Sequence, residues 1–377
     1  MTHIIGSPIR YAQGPGTAHD LGRYAAQFAS QARVIIGPHT APLFDDILPA
    51  AFGEVCTAHI AIFSGECSQH EIDRLCAEGR SADCGVVVGI GGGKVLDTAK
   101  AVAHYLHIPV IITPTAASSD APCSALSVIY SDEHEFEHYL YLPSNPDLVL
   151  VDTEIICQAP ARLLAAGMGD AMATYFEARA CKASNSDNCL GGKVTLAAMA
   201  LAKCCHDTLI EDGTHAMLAV QAGAVTPAVE HIIEANVYLS GVGFESGGLS
   251  AAHAIHNGLT CLPGTHKMLH GEKVAFGLLA MLVMEGAEEE ELEEVASFCI
   301  TMGLPVTFEE LGIPNVTPDE LLMVAQRAAS PDDTAHHMQV TVTVDSIYNA
   351  LVGADALGRY LTGADESADD GCCGHEH

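Results

Sequence analysis

Residues 84–100 read CGVVVGIGGGKVLDTAK. The β-branched run Val86–Val88 passes into Gly89, Gly91, Gly92 and Gly93, and a helical pattern begins at Val95. A short apolar strand that hands over to a helix through glycine is the opening of a strand–helix–strand unit. At such a joint the helix leaves its first N–H groups without partners inside the helix, and glycine lets the backbone approach a ligand closely. Both features favour a phosphate. The loop is not a Walker loop, because Val95 stands where a hydroxyl is required after the lysine. It also lacks the G-x-G-x-x-G spacing. On this stretch alone a phosphate cradle and a tight turn that needs small residues both remain open.

The pattern repeats on either side. ARVIIG (32–37), HIAIFSG (59–65), IPVIITPT (108–115) and NPDLVLVD (145–152) read as further strands, and ECSQHEIDRLCAEGR (66–80) and VLDTAKAVAHYL (95–106) read as helices between them. Strands alternating with helices of this length predict a parallel sheet covered on both faces. After about residue 160 apolar residues recur at helical spacing instead, through LLAAGMGDAMATYFEARAC, KVTLAAMALAKCCHDTL and PAVEHIIEANVYLSG. VTPDELLMVAQRA (316–328) carries a helix start, with Thr317 as N-cap, Pro318 at the first helical position and Glu320 three residues after the cap. The expected fold is an α/β Rossmann-like domain over 1–160, then an all-α domain over 161–364. Residues 365–377 form a Cys/His tail of disorder-type composition. A cleft between the two domains is the expected ligand site.

Composition narrows the function. At 377 residues the chain suits two domains, and a formal charge of −32 leaves no basic stripe for nucleic acid or an anionic membrane. Acid runs such as EGAEEEELEEV (285–295) read as solvated helix faces. The longest apolar stretch, near Val274–Met284, is too short to span a bilayer, and the start MTHIIGSPIR shows no secretory pattern. The expected location is cytoplasmic. The fourteen cysteines include no C-x-x-C pair and read as reduced, mostly buried side chains.

Two further regions carry chemistry. TPTAASSDAPCSALSVIY (113–130) follows the next strand and is rich in hydroxyls: Thr115 and Ser118 could donate to a diphosphate, with Asp120 at the mouth of the same crevice. In the helical half, GMGDAMATYFEA sets Asp170 after a glycine pair, read as a helix start. SGGLSAAHAIHNGL supplies His253 and His256, and THKMLHGEKVAFG supplies His266 and His270. Small residues beside His253 and His270 would let helices approach until two imidazoles meet one ion. Two neutral imidazoles and a carboxylate are a common zinc set with one position left open. Spacing does not say which two of the four histidines bind.

Taken together, GECSQHEIDRL, GIGGGKVLDTAK, SSDAPCSALSVIY, PARLLAAGMGDAMATYFEARAC, EANVYLSGVGFESGGLSAAHAIHNGLT and HGEKVAFG resemble the glycerol dehydrogenases of the iron-containing alcohol dehydrogenase superfamily. The resemblance runs from SPIRYAQGPG to about residue 362 and implies the dehydroquinate synthase-like fold of that superfamily. It also implies that Gly93, Lys94 and Asp97 hold the diphosphate region of NAD, and that Thr115, Ser118, Ser124, Leu126 and Tyr130 line the rest of that site. By the same resemblance Asp120 contacts the polyol, and Asp170, His253 and His270 bind the metal. Iron-dependent members carry a further histidine four residues after the metal aspartate; Thr174 occupies that position here, which points to zinc. The implied reaction moves a hydride from C2 of glycerol or a related vicinal diol to NAD, giving dihydroxyacetone. His256 is the candidate for an outer-sphere or proton-relay role. A homo-oligomer is implied as well.

Two other functions bear on the same residues. A dehydroquinate synthase-type lyase would use the same fold, metal and dinucleotide, but needs a basic lining that this acidic chain offers little of. Metal buffering would use the twenty histidines and the CCGHEH end. One departure from the relatives concerns the cofactor. They place an aspartate after the glycine that ends the first strand, whereas here Pro38 follows Gly37 and His39 is adjacent.

Overall fold

The structure, a computed structural model, describes residues 1–363, so the Cys/His tail lies outside the described residues. The chain divides into two compact units. One comprises Gly6–Gly167 with His215–Val242; the other comprises Met1–Ile5, Met168–Thr214 and the chain from Gly243 onward.

The first unit is built on a six-stranded sheet in the order β1-β8-β5-β4-β2-β3. Its strands are β1 (Tyr11–Gly14), β2 (Gln31–Ile36), β3 (Thr57–Ile62), β4 (Val86–Gly91), β5 (Val110–Pro114) and β8 (Leu148–Asp152), and every pairing is parallel. Consecutive residues Val86, Val87 and Val88 are all fully buried. Only a strand covered on both faces buries an unbroken run, so the apolar stretch before the glycine loop forms the centre of a two-sided sheet. Ala32, Val34, Val86, Val88, Ile111 and Leu150 join one core cluster. Each fully buried Val or Leu there contributes about 1.5–3 kcal/mol relative to exposure.

Two parts of this unit were not anticipated. The β1 segment YAQG is half-buried throughout and has no apolar run to announce it. The end of the hydroxyl-rich segment forms a strand: β6 (Leu126–Tyr130) pairs antiparallel with β7 (Phe136–Tyr141) in a separate two-stranded sheet.

The second unit is helical. Its helix His270–Glu285 is fully buried at every residue from Val274 to Leu282, as expected of a helix that is apolar all round. Gly277 lets it lie against the helix Ala251–Leu259, because a Cβ there would come 2.4 Å from the Ala252 carbonyl oxygen. The start at Thr317 forms as read. Thr317 Oγ1 accepts from the Glu320 N–H at 3.3 Å, and Glu320 Oε2 accepts from the Thr317 N–H at 2.8 Å. No helix among the described residues is long and apolar enough to cross a membrane.

Asp170 does not begin a helix. It lies deep inside the helix Ala161–Ser184, with Gly167 and Gly169 helical before it. The two glycines serve close approach and do not break the helix. A Cβ on Gly167 would meet the Ala117 carbonyl oxygen at 1.9 Å, and one on Gly169 would meet the Gly271 carbonyl oxygen at 2.6 Å.

Candidate metal centre and dinucleotide loop

In the helical unit the structure brings together Asp170, His253 and His270, whose ligand atoms all lie within 4.8 Å of one another. Asp170 Oδ1 is 3.4 Å from His253 Nε2 and 3.1 Å from His270 Nε2. Donors about 2.0–2.1 Å from one tetrahedral ion stand about 3.3 Å apart, so both separations suit a shared zinc-sized ion. The Gly169–Gly271 approach places each ligand one residue from the contact, Asp170 after Gly169 and His270 before Gly271. Asp170 is fully buried, whereas the His270 side chain is 40% exposed, so the cluster is open to solvent on that side. A metal centre that admits substrate requires such an opening.

The outer nitrogens of both rings are engaged. Glu177 Oε2 lies 2.6 Å from His253 Nδ1, and His256 Nε2 lies 3.0 Å from His270 Nδ1. His256 Nδ1 in turn faces Asn257 Oδ1 at 3.2 Å, and the Asn257 amide donates to Asp333. With protons on each Nδ1, an ion bound beside Asp170 would take the two Nε2 lone pairs. A ligating imidazole is fixed in this way by a partner behind it.

The electrostatics agree with a cation at this point. Burial alone would raise the Asp170 carboxyl, but the His270 and His253 rings hold it far below the usual carboxylate range. Burial would lower the His253 ring, yet Glu177 and Asp170 together hold it well above the usual histidine value. His256 is pushed well below that value by burial and by the neighbouring His270 and Lys273, which keeps it neutral. His266 stands apart from the cluster, exposed, with Nε2 3.2 Å from the Thr260 carbonyl oxygen. Thr174 is buried where Gly243 packs; a Cβ on Gly243 would come 2.6 Å from Thr174 Cγ2. Among the described residues this is the one group of three such side chains placed to share an ion.

In the α/β unit the glycine loop sits at the carboxyl end of β4. Gly92 is the N-cap of the helix Gly93–Leu106, and no side chain caps that end. A Cβ on Gly92 or Gly93 would meet nothing within 4 Å, so the loop leaves open space at the helix's positive end, as an anion cradle should. Thr115, after β5, donates its N–H to the Gly91 carbonyl oxygen at 3.1 Å, which sets the two loops side by side.

The remaining sequence candidates divide by what they touch. Lys94 extends over the Tyr130 ring and pairs with the buried Glu66 at 2.5 Å. Ser118 and Leu126 are half-buried, as is Tyr130, whose phenol burial pushes up to about 12. Asp97 turns inward instead. Its Oδ1 pairs with the fully buried Lys100 at 2.9 Å, and its Oδ2 accepts from the Val128 N–H at 3.1 Å. Lys100 also donates to the carbonyl oxygens of Ala121 and Leu126, and Ser124 Oγ donates to the Ala121 carbonyl oxygen at 3.0 Å. Asp97 and Ser124 thus belong to a clamp that fixes the 121–128 segment on the helix after the glycine loop. Asp120 is buried and accepts from Ser240 Oγ at 2.9 Å. Ser240 follows a π-helical turn, Ala235–Leu239, whose Asn236 donates to the Ala117 carbonyl oxygen at 2.9 Å.

Glu177, Glu66, Lys100 and Ser240 are not among the residues expected from the sequence. Glu177 had a usable signal, since it stands seven residues after Asp170 in an apolar helix and therefore on the same face.

A parallel α/β unit with an open glycine loop and, in the same chain, a helical unit with a carboxylate–bis-imidazole cluster fit a metal- and dinucleotide-dependent class of enzymes, which similarity to known proteins narrows to the dehydrogenases. Residues 8–153 match the iron-containing alcohol dehydrogenase family. A glycerol dehydrogenase from Escherichia coli O6:H1 is 52% identical over 95% of this chain and 98% of its own length. One from Pseudomonas putida is 52% identical over 96% and 99%. The crystal structure of a probable glycerol dehydrogenase from Sinorhizobium meliloti 1021 superposes with a TM-score of 0.90 at 41% identity, covering 96% of this chain and all of that one. The chain belongs to the iron-containing alcohol dehydrogenase family.

Proposed function

We propose that the chain oxidises glycerol at C2 with NAD, giving dihydroxyacetone, NADH and a proton, or a closely related vicinal diol to its hydroxyketone, with zinc held by Asp170, His253 and His270. The observation that carries this reading is the convergence of one buried carboxylate and two imidazoles within 4.8 Å, with Asp170 Oδ1 at 3.4 and 3.1 Å from the two Nε2 atoms, separations that suit a tetrahedral ion. Similarity to glycerol dehydrogenases over nearly the whole chain supports the substrate.

When bound, zinc supplies Lewis acidity toward the alcohol or ketone oxygen, and NAD accepts or returns the hydride. The protein's part is placement and field. Two neutral imidazoles and one carboxylate leave a divalent ion with one net positive charge, which favours a negative oxygen. Glu177 and His256 hold the rings in register from behind. Gly92 and Gly93 offer backbone N–H groups to the diphosphate, and Lys94 supplies the adjacent positive charge. Asp120, oriented by Ser240, accepts from the polyol's hydroxyls. Thr174 adds no ligand, so the set stays at three and favours zinc over iron. Under this reading the enzyme is a cytoplasmic homo-oligomer with small polyols as its partners.

Isotope labelling tests the site of oxidation. Glycerol deuterated at C2 should give deuterated NADH with a primary isotope effect, whereas glycerol deuterated at C1 and C3 should give unlabelled NADH. Label arriving from C1 would refute the proposed regiochemistry. His270→Ala and Asp170→Asn should lose zinc and activity together, while His266→Ala keeps most of both.

A further inference from the structure

Glu177 is fully buried two turns beyond Asp170 on one helix, and each of its oxygens has a defined partner. Oε1 accepts from the backbone N–H groups of Ser250, at 2.8 Å, and His253, at 3.0 Å, at the start of the helix that carries His253. Oε2 faces His253 Nδ1 at 2.6 Å. A buried carboxylate offers only acceptors, so it requires a donor in each direction. The short contact to the ring therefore places a proton on Nδ1, so that with an ion in the centre the nitrogen left to ligate is Nε2, toward Asp170. One residue thus touches both the start of the helix and the ring it carries.

We propose that Glu177 is a positioning residue that holds His253 in its ligating tautomer and so sets the affinity of the centre for zinc. The proposal rests on the zinc reading given above. Glutamine in its place exposes the logic, because an amide has one acceptor and one donor end. With its oxygen on the two backbone N–H groups, its NH₂ faces Nδ1 and demands a lone pair there. The ring proton then moves to Nε2, where zinc would bind. With the amide reversed, its NH₂ opposes two N–H donors. The first arrangement preserves the helix start and disables the ligand.

The test compares wild type, Glu177→Gln and Asp170→Asn by zinc competition against a chelator of known affinity, alongside thermal unfolding of each zinc-free chain. For Glu177→Gln the expected result is a zinc-free unfolding midpoint close to wild type and a Kd for zinc weakened about 10–100-fold, the usual range for loss of such a partner. Wild-type zinc affinity in Glu177→Gln, with or without a lowered midpoint, overturns the proposal and leaves Glu177 as a helix cap only. If wild type and Asp170→Asn bind zinc equally weakly, the zinc reading itself fails. Should Glu177→Gln not fold, a neutron structure of the zinc-loaded wild type decides. A deuteron on His253 Nδ1 directed at Glu177 supports the proposal, and zinc or a bare lone pair at Nδ1 overturns it.

Discussion

Gly169→Ala tests whether close helix approach builds the metal centre. An added Cβ would stand 2.6 Å from the Gly271 carbonyl oxygen and 3.0 and 3.1 Å from the two methyls of Leu304. Leu304 can rotate away, but Gly271 is backbone in the first turn of the helix that begins at His270. Ordinary contact starts at 3.4 Å, so that turn must retreat by about 0.8 Å, carrying His270 away from Asp170. Metal–ligand distances tolerate about ±0.2 Å. The helices cannot separate that far and keep all three ligands on one ion. Overpacking should cost about 1–3 kcal/mol in the zinc-free chain. Zinc affinity should fall by about tenfold or more, since each 1.4 kcal/mol of lost binding is a factor of ten. The assay pairs chelator competition with urea unfolding. Gly353→Ala is the control, because its Cβ would meet only Val283 Cγ1 at 2.9 Å and disturb packing without moving a ligand. Wild-type zinc affinity in Gly169→Ala, or equal losses in the two variants, would refute the reasoning.

Three other outcomes follow from the same structure. Lys100→Met leaves the Asp97 carboxylate and the Ala121 and Leu126 carbonyl oxygens without their buried donor, which should lower stability by about 3–5 kcal/mol in urea titration. Adding Asp97→Asn should recover part of that loss, and independent, additive losses would show that the two groups do not act as a pair. Pro38 is exposed just beyond β2, whose Ile36 pairs with Ile90 next to the glycine loop. Pro38→Asp should therefore raise the NAD-to-NADP ratio of kcat/KM about tenfold or more, through repulsion of a 2′-phosphate. A ratio that is already very large in the natural chain and unmoved by the substitution would show that position 38 does not read the ribose.

The parts of the fold legible in the sequence were those whose local pattern and tertiary role coincide. The Val86–Gly93 strand and loop announced itself because a two-sided strand must be continuously apolar and its turn must be small. Thr317 announced a helix because its cap is local, and Thr317, Pro318 and Glu320 all lie within one turn. Other elements depend on partners far along the chain. β1 is too short and too polar to stand out, and only its register beside β8 makes it a strand. The β6–β7 hairpin was hidden by the hydroxyls before it. Gly167 and Gly169 resembled helix breakers, because a sequence does not reveal that the Ala117 and Gly271 carbonyl oxygens occupy the space their side chains would need. The site shows the same division. Asp170, His253 and His270 belong to segments whose resemblance is specific, while Glu177 carries its meaning only through the distant Ser250 and His253. Asp97 shows the converse: it stands in a recognisable motif, yet its carboxylate faces Lys100 and Val128.

The central claim is that zinc on Asp170, His253 and His270 is required for oxidation of the diol. The most direct measurement is the rate of NADH formation from glycerol by the intact chain, by the same sample after chelation and dialysis, and after zinc is returned in measured amounts. The account predicts near-complete loss on chelation and recovery that saturates at about one zinc per chain, with no recovery in Asp170→Asn. Full turnover in the zinc-free chain, or recovery in Asp170→Asn equal to that of the natural chain, would contradict it.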